Sequence, residues 1–306
     1  MQAIHKKRKI GQRGDQLFQI ALLAWPLIQF AVFYIFVNLN SFRLAFQGMG
    51  GGFSFEHFQY LFSDSMFPEV IGALKTSLLF YAISTVISVP LGLLFAFYIY
   101  KKAWGGKTFR FFLFLPSILS SMVMVVLFQT FMSEALGDLL HGWFGANTGE
   151  KQMLNMTKSS SYKAVMFFHI WISFGTTTLI YSNKMGELSP ETVEAAHLDG
   201  VNNLQEFWYI VLPFAFPTVS VFLVTGLATI FANQYNLFAF YGGQIGFDAG
   251  SLGYYLFNIV QDATANKLWN SEVFHRASAL SLLITAVVIP VAMTARWALD
   301  KFGPQE

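Results

Sequence analysis

Six stretches of this chain, at about 17–39, 73–99, 111–131, 164–183, 214–233 and 277–298, are each apolar for about twenty residues. That length of helix crosses a hydrocarbon core roughly 30 Å thick, in which every backbone N–H and C=O has to be satisfied within the segment. An all-α membrane protein with six transmembrane helices follows. Composition agrees, because 55% of the 306 residues are hydrophobic and only 12% charged, too little polar surface to cover a soluble globule of this size. The lipid bilayer is the expected solvent. The absence of cysteine excludes disulfides, thiolate metal sites and cysteine nucleophiles. A net charge of +2, with no basic run interleaved with aromatics, points away from nucleic acid.

The expected organisation is a basic tail at 1–16, one transmembrane domain over 17–298 containing a polar loop at 187–213, and a short tail at 299–306. The basic start, His5-Lys6-Lys7-Arg8-Lys9, precedes an apolar run too long for a signal peptide and without a small-x-small cleavage site, so it reads as an uncleaved first span. An even span count puts both tails on one side. That side holds 12 of the 19 Lys and Arg residues, which makes it the cytoplasmic one. On the outer side, Phe55, Phe58 and Phe62 recur at helical spacing, as in an interfacial helix or a lid over the span tops. The outer loops at 132–163 and 234–276 are long for plain connections and suit a docking surface.

The fourth loop is anomalous. It carries Glu187, Glu191, Glu194, Asp199 and Glu206 against Lys184, so it gains nothing from an anionic membrane surface and calls for a basic protein partner. Its residues spell two short helices joined by a turn. Ser189 caps the first, Pro190 suits its first position, Glu191 complements the positive helix end, and Gly200 ends it in the left-handed conformation. Asn203 with Glu206 has the spacing of a capping box for a second helix running through Phe207, Tyr209 and Ile210 to Leu212-Pro213.

Polar groups within or near spans are costly in hydrocarbon and mark a candidate solute path. Ser173 and Thr176 in the fourth span, followed by Thr177 and Thr178, form one group; Asn233, Gln234, Tyr235 and Asn236 at the end of the fifth form another. Both have blander readings, since small hydroxyls bond their own helix and Asn-Gln marks a water boundary. Prolines fall inside the spans at 26, 90, 116, 217 and 290, where neighbouring helices tolerate the kinks and where bending suits alternating access. Gly105-Gly106-Lys107-Thr108 has only the end of a phosphate-binding loop, with Lys101 where the leading glycine belongs and no preceding strand. His169 and His197 have no second ligand at metal spacing. No catalytic or metal constellation is expected.

Glu194-Ala195-Ala196, then Asp199-Gly200, then Phe207, Ile210, Leu212 and Pro213, ahead of the penultimate span, resemble the EAA loop of permease subunits of binding-protein-dependent ABC importers. Further segments resemble the maltose-type carbohydrate permeases: Leu115-Pro116-Ser117, Trp171 at 23 residues before Glu194, Gly253-Tyr254-Tyr255, and Ala277 through Ser281. Val201 departs from the alanine usual there, and Gln244 from a usual proline. The resemblance implies a non-enzymatic subunit that binds no cofactor itself. Glu194, Ala195, Ala196, Leu198, Asp199 and Gly200 would couple it to two ATPase subunits carrying ATP and Mg. It further implies a second, similar permease, an extracytoplasmic solute-binding protein, an oligosaccharide as substrate, and residence in a bacterial or archaeal cytoplasmic membrane. The nearest alternative is a permease for glycerol phosphate or polyamine, which would favour charged groups inside the spans. An intramembrane enzyme would need convergent catalytic groups, and a channel would leave the acidic loop unexplained.

Overall fold

The computed structural model describes residues 18–132, 159–243, 250–266 and 272–304. The N-terminal basic residues, most of the outer loop at 132–163, and parts of the one at 234–276 including Gln244 lie outside these. The described chain is helical, with one isolated bridge between Gln47 and Phe53. In order, α1 is Phe18–Phe46, α2 Glu56–Leu61, α3 Phe67–Tyr100, α4 Gly106–Ile118, α5 Ser121–Thr130 and α6 Ser159–Met185. They are followed by α7 Pro190–Leu198, α8 Asn203–Thr229, α9 Leu237–Tyr241, α10 Leu252–Ala265 and α11 Glu272–Phe302.

Five helices, α1, α3, α6, α8 and α11, are long and apolar enough to cross a membrane. The segment expected as the third span, with a kink at Pro116, is broken into α4 and α5, bent by 105°, and counted as one broken span it makes six. Leu119 and Ser120 at the break have extended backbone, with ψ of 151° and 135°. Just before it, Pro116 supplies no N–H to the helix, and Ser117 Oγ donates to the Phe114 carbonyl at 2.7 Å, so the hydrogen-bond ladder is already depleted there. Apolar composition over 111–131 hides this break. The other spans run longer than their apolar cores. The 34-residue α3, at 1.5 Å per residue, is about 51 Å long and overshoots the hydrocarbon at one or both ends.

Three buried clusters follow one another along the bundle. The first gathers Ala45, Leu61, Ala73, Leu252, Tyr255, Ala279 and Leu280, where α1 ends and α3 and α11 begin. The middle one gathers Phe80, Val125, Val165, Phe168, Tyr235, Leu237 and Tyr254. The last gathers Leu93, Ala96, Tyr181, Met185, Phe207, Val211 and Ala215, at the end of the bundle that carries α7. Along α3 the chain passes from the first cluster to the last, whereas from α8 to Tyr235 and Leu237 it passes from the last to the middle one, so α3 and α8 are antiparallel. Contact between α4 and α6 is close enough that a Cβ at Gly175 would sit 1.8 Å from the Leu113 carbonyl oxygen, and only glycine fits.

The short helix α2 buries His57, Leu61 and part of Phe58, with Phe58 against Phe46 at 5.1 Å, while Phe55 and Phe62 remain exposed. It is therefore packed onto the end of α1 through one face. Along α1 itself, residues 18–37 stay exposed, apart from a half-buried Ala24, up to the stretch where the helix meets α11.

Candidate functional site

The acidic loop folds as two helices joined by a turn, with one register correction. Ser189 caps α7, its Oγ accepting from the Thr192 N–H at 3.3 Å, with Pro190 in the first turn and Glu191 beside the positive helix end. Gly200, at φ +80°, ends α7, its N–H reaching the His197 carbonyl and the next N–H, from Val201, reaching that of Ala196. The second cap is Asn202, not Asn203. The Asn202 Oδ1 accepts the Gln205 N–H at 2.9 Å and the Gln205 Oε1 accepts the Asn202 N–H at 3.0 Å, a complete capping box one residue earlier than the Asn203–Glu206 spacing suggested. Both registers carry an Asx residue followed three positions on by a Gln or Glu. Glu206 is instead buried against Lys101 and His197.

The second helix is also not a separate element. It runs through a π turn at Phe207–Val211 into the fifth span without interruption. Pro213 cannot donate to a carbonyl one turn back, and the wide turn that precedes it accommodates the loss.

Glu194, Ala195, Leu198, Asp199 and Gly200 are exposed, Ala196 is half-buried, and no residue of α7 is fully buried. Leu198 is 90% exposed, and Leu204, Trp208 and Tyr209 nearby also face outward. In contrast, the Glu206 side chain has no solvent contact. Its Oε2 accepts from Lys101 Nζ, at the end of α3, at 2.8 Å and from His197 Nε2, on α7, at 2.9 Å. Burial alone would push the Glu206 carboxyl up, but the hydrogen bonds and positive charge of Lys101 and His197 outweigh it and hold it below the usual carboxylate range. In the sequence Glu206 reads as an acid of the loop and the capping-box partner of Asn203, a part that Gln205 takes instead. The available signal was its place between Gln205 and Phe207 at the start of an apolar helix face.

The solute-path candidates separate into two environments. Ser173 Oγ donates to the His169 carbonyl at 2.8 Å and Thr177 Oγ1 to the Ser173 carbonyl at 3.2 Å, the self-satisfied arrangement, while Thr176 is exposed. Thr178 is buried, and its hydroxyl has no hydrogen-bond partner among the described residues. At the end of α8, Asn233 Oδ1 accepts the Tyr235 N–H at 2.8 Å, and Gln234 and Asn236 are half-buried. Tyr235 is buried, its ring 5.0 Å from that of His169 and 5.2 Å from Phe80, its hydroxyl 3.4 Å from the Ser77 carbonyl. His169 thus joins the two candidate groups, one turn from Ser173 and against Tyr235. Among the described residues no cluster of three or more His, Asp or Glu could hold a metal ion. Gly105 and Gly106 form a tight turn into α4, with Gly105 at φ +75°.

The family model for the binding-protein-dependent transport system inner membrane component matches residues 88–305, which include the broken span, α7 and the capped start of α8. The chain belongs to this family. The permease is similar to the multiple sugar-binding transport system permease protein MsmF of Streptococcus mutans, 24% identical over 275 residues, covering 89% of this chain and 88% of that one. It is also similar to the alpha-glucoside transport system permease protein AglF of Rhizobium meliloti, 24% identical and covering 93% and 85% of the two chains. A third relative is the arabinooligosaccharides transport system permease protein AraP of Halalkalibacterium halodurans, 28% identical over 54% of this permease and 52% of AraP. A crystal structure of a bacterial alginate ABC transporter, in complex with an alginate pentasaccharide-bound periplasmic protein, contains a chain of the same fold. Its TM-score is 0.75 at 19% identity, covering 97% of the permease and 98% of that chain.

Proposed function

We propose that the permease is one membrane half of an ATP-driven importer for a carbohydrate, an oligosaccharide in particular. It pairs with a second, similar permease, receives substrate from an extracytoplasmic binding protein, and takes work from two ATPase subunits through α7. Both termini and α7 lie on the cytoplasmic side. ATP and Mg belong to the ATPase subunits, and the permease contributes no catalytic group. The observation that carries this reading is α7 itself, a short capped helix with no fully buried residue. It offers Glu194, Ala195, Leu198 and Asp199 outward, and Leu198 at 90% exposure beyond an apolar bundle needs a protein cover. The small side chains of Ala195 and Ala196 let the helix enter a cleft, with Glu194 beside them for a basic contact.

The carbohydrate assignment draws support from relatives whose names specify multiple sugars, alpha-glucosides and arabinooligosaccharides. The chemistry is compatible. The half-buried Tyr241 ring suits the apolar face of a sugar, and Thr176, Asn233, Gln234 and Asn236 suit its hydroxyls, with the buried Tyr235 and the self-bonded Ser173 behind them. No Asp, Glu, Lys or Arg lies in the middle of α6 or α8 to favour a charged solute.

Glu194→Lys tests the coupling contact. The purified complex should lose at least ten-fold in retained ATPase subunits and in ATP-dependent uptake of a sugar panel (maltotriose, arabinotriose and an alginate trisaccharide), with membrane insertion unchanged. Normal retention in that variant would overturn the assignment of α7.

A further inference from the structure

The attachment of α7 to the rest of the molecule is thin. None of its residues is fully buried, and among the described residues the hydrogen bond from His197 to Glu206 is the one side-chain hydrogen bond that leaves α7 for another helix. The bond ends on a carboxylate that is itself part of the bundle. Glu206 is the fourth residue of α8, on the same unbroken helix as the fifth span, and the same Oε2 holds Lys101, the residue that terminates α3. One oxygen atom therefore receives donors from two other helices, separated from Glu206 by 105 and 9 residues in sequence.

The surroundings make this joint stiff. The Glu206 side chain is wholly buried, and its other oxygen, Oε1, has no hydrogen-bond partner among the described residues. A buried carboxylate is expensive to desolvate and is held in place by the partners that offset that cost. With Oε1 idle, the entire hold passes through Oε2. Below it, Phe207 meets Phe97 edge to face at 5.2 Å, and Leu93, Ala96, Met185 and Val211 close the apolar layer, so the ends of α3 and α8 are already packed as a unit. What packing does not supply is the link to α7.

We propose that Glu206 is a positioning residue that makes α7, the end of α3 and the start of α8 move as one body, passing displacement of α7 to the second and fifth spans. The proposal rests on the reading of α7 as the ATPase contact, and goes beyond it by naming the route from that contact into the bundle. Its direction follows from geometry. A push on α7 reaches α3 through Lys101 and α8 through the backbone of Glu206, whereas the turn at Asp199–Asn202, containing a left-handed glycine, is too pliant to carry it alone.

Because the chain lacks cysteine, two spin labels can be placed cleanly at Glu191→Cys on α7 and Trp104→Cys just beyond α3, both exposed sites. The distance between them is measured in the complete transporter, with cysteine-free partner subunits, without nucleotide and with Mg-ATP and vanadate. The native chain should give one narrow distribution in both conditions. Glu206→Gln, which keeps the shape and removes the charge, should at least double its width and make the mean shift on ATP addition, with ATPase subunits retained. The exchange His197→Glu with Glu206→Lys, which rebuilds an opposite-charge pair between α7 and α8, should return the distribution toward native width, an outcome that loss of packing alone would not produce. Should the exchanged pair fail to assemble, His197→Phe and Glu206→Gln decide the matter, since each weakens or removes the link from α7 and both must broaden the distribution. A native distribution in these two single variants overturns the proposal. Glu194→Lys separates it from the parent reading: there the ATPase subunits should be lost while the label distance stays narrow. Retained subunits in Glu194→Lys would count against the ATPase contact, leaving the joint standing.

Discussion

The two ends of α8 are built on opposite principles. At its start, the cap is local: Asn202 and Gln205 cap each other reciprocally, and before it the Ser189 Oγ accepts the Thr192 N–H to cap α7, while the one long-range hydrogen bond described there comes from Lys101 to Glu206. At its far end, the chain leaves the helix through two consecutive left-handed residues that are not glycine, Tyr235 at φ 50° and Asn236 at φ 61°. Such backbone costs of order 1 kcal/mol or more per residue and persists only where surrounding contacts over-determine it. Those contacts come from distant sequence. Ser251 Oγ donates to the Asn233 carbonyl, Ser77 takes both the Tyr235 hydroxyl and the Leu252 N–H, and Phe80 and His169 enclose the ring. The first turn of α8 can therefore be loosened by changing its cap, while the far end answers mainly to the bundle.

The largest test of this contrast is Tyr235→Ala. Removing a buried aromatic in the middle cluster should cost about 3–5 kcal/mol, and because the ring spans α3, α6 and the end of α8, the loss should appear in global unfolding. Thermal unfolding of the detergent-solubilised permease should show one transition shifted down as a whole. A variant that loosens only residues near 235, with the main transition unmoved, would mean that the far end of α8 is an autonomous local structure after all.

A smaller, local effect is expected at the other end. Asn202→Ala deletes one half of the capping box, for about 1 kcal/mol. Hydrogen exchange should quicken over the first turn of α8 and leave amides around Tyr235 unchanged. Protection lost at both ends would show that the capped start is held by the same long-range contacts, and the comparison would collapse.

This contrast also explains what was legible in the sequence. The elements of the acidic loop were readable because caps, a first-turn proline and a terminal glycine act within four residues, and the error of one residue at Asn202 arose where two registers met the same local pattern. Apolar length located the spans. The break at Leu119-Ser120 was legible only as a kink at Pro116, and not in its size, because composition is apolar on both sides of it. Nor was the burial of Glu206 readable, since an acid in an acidic loop looks solvated until a lysine 105 residues away is brought to it. For Ser173 and Thr176 the sequence leaves a solute-facing and a self-bonded reading both open. The structure places the hydroxyl of the first on its own helix and leaves the second exposed.

Asn236 gives the smallest and most discriminating test. It stands at the N-cap of α9, but its side chain makes no capping hydrogen bond, so its conformation is the main thing a substitution changes. Asparagine tolerates the left-handed region better than most residues, and alanine does not, at a penalty of about 1 kcal/mol. Glycine removes the penalty altogether but adds conformational entropy to the unfolded chain, about 0.5–1 kcal/mol against it. The two terms nearly cancel for Asn236→Gly, which should fall within about 0.5 kcal/mol of the native chain, while Asn236→Ala should be less stable than either by about 1 kcal/mol. Parallel thermal unfolding of the three proteins checks the order. An alanine variant as stable as the glycine one would mean that the backbone at 236 is not left-handed, and with it would go the claim that long-range packing holds this end of α8 in a strained form that local sequence would not choose.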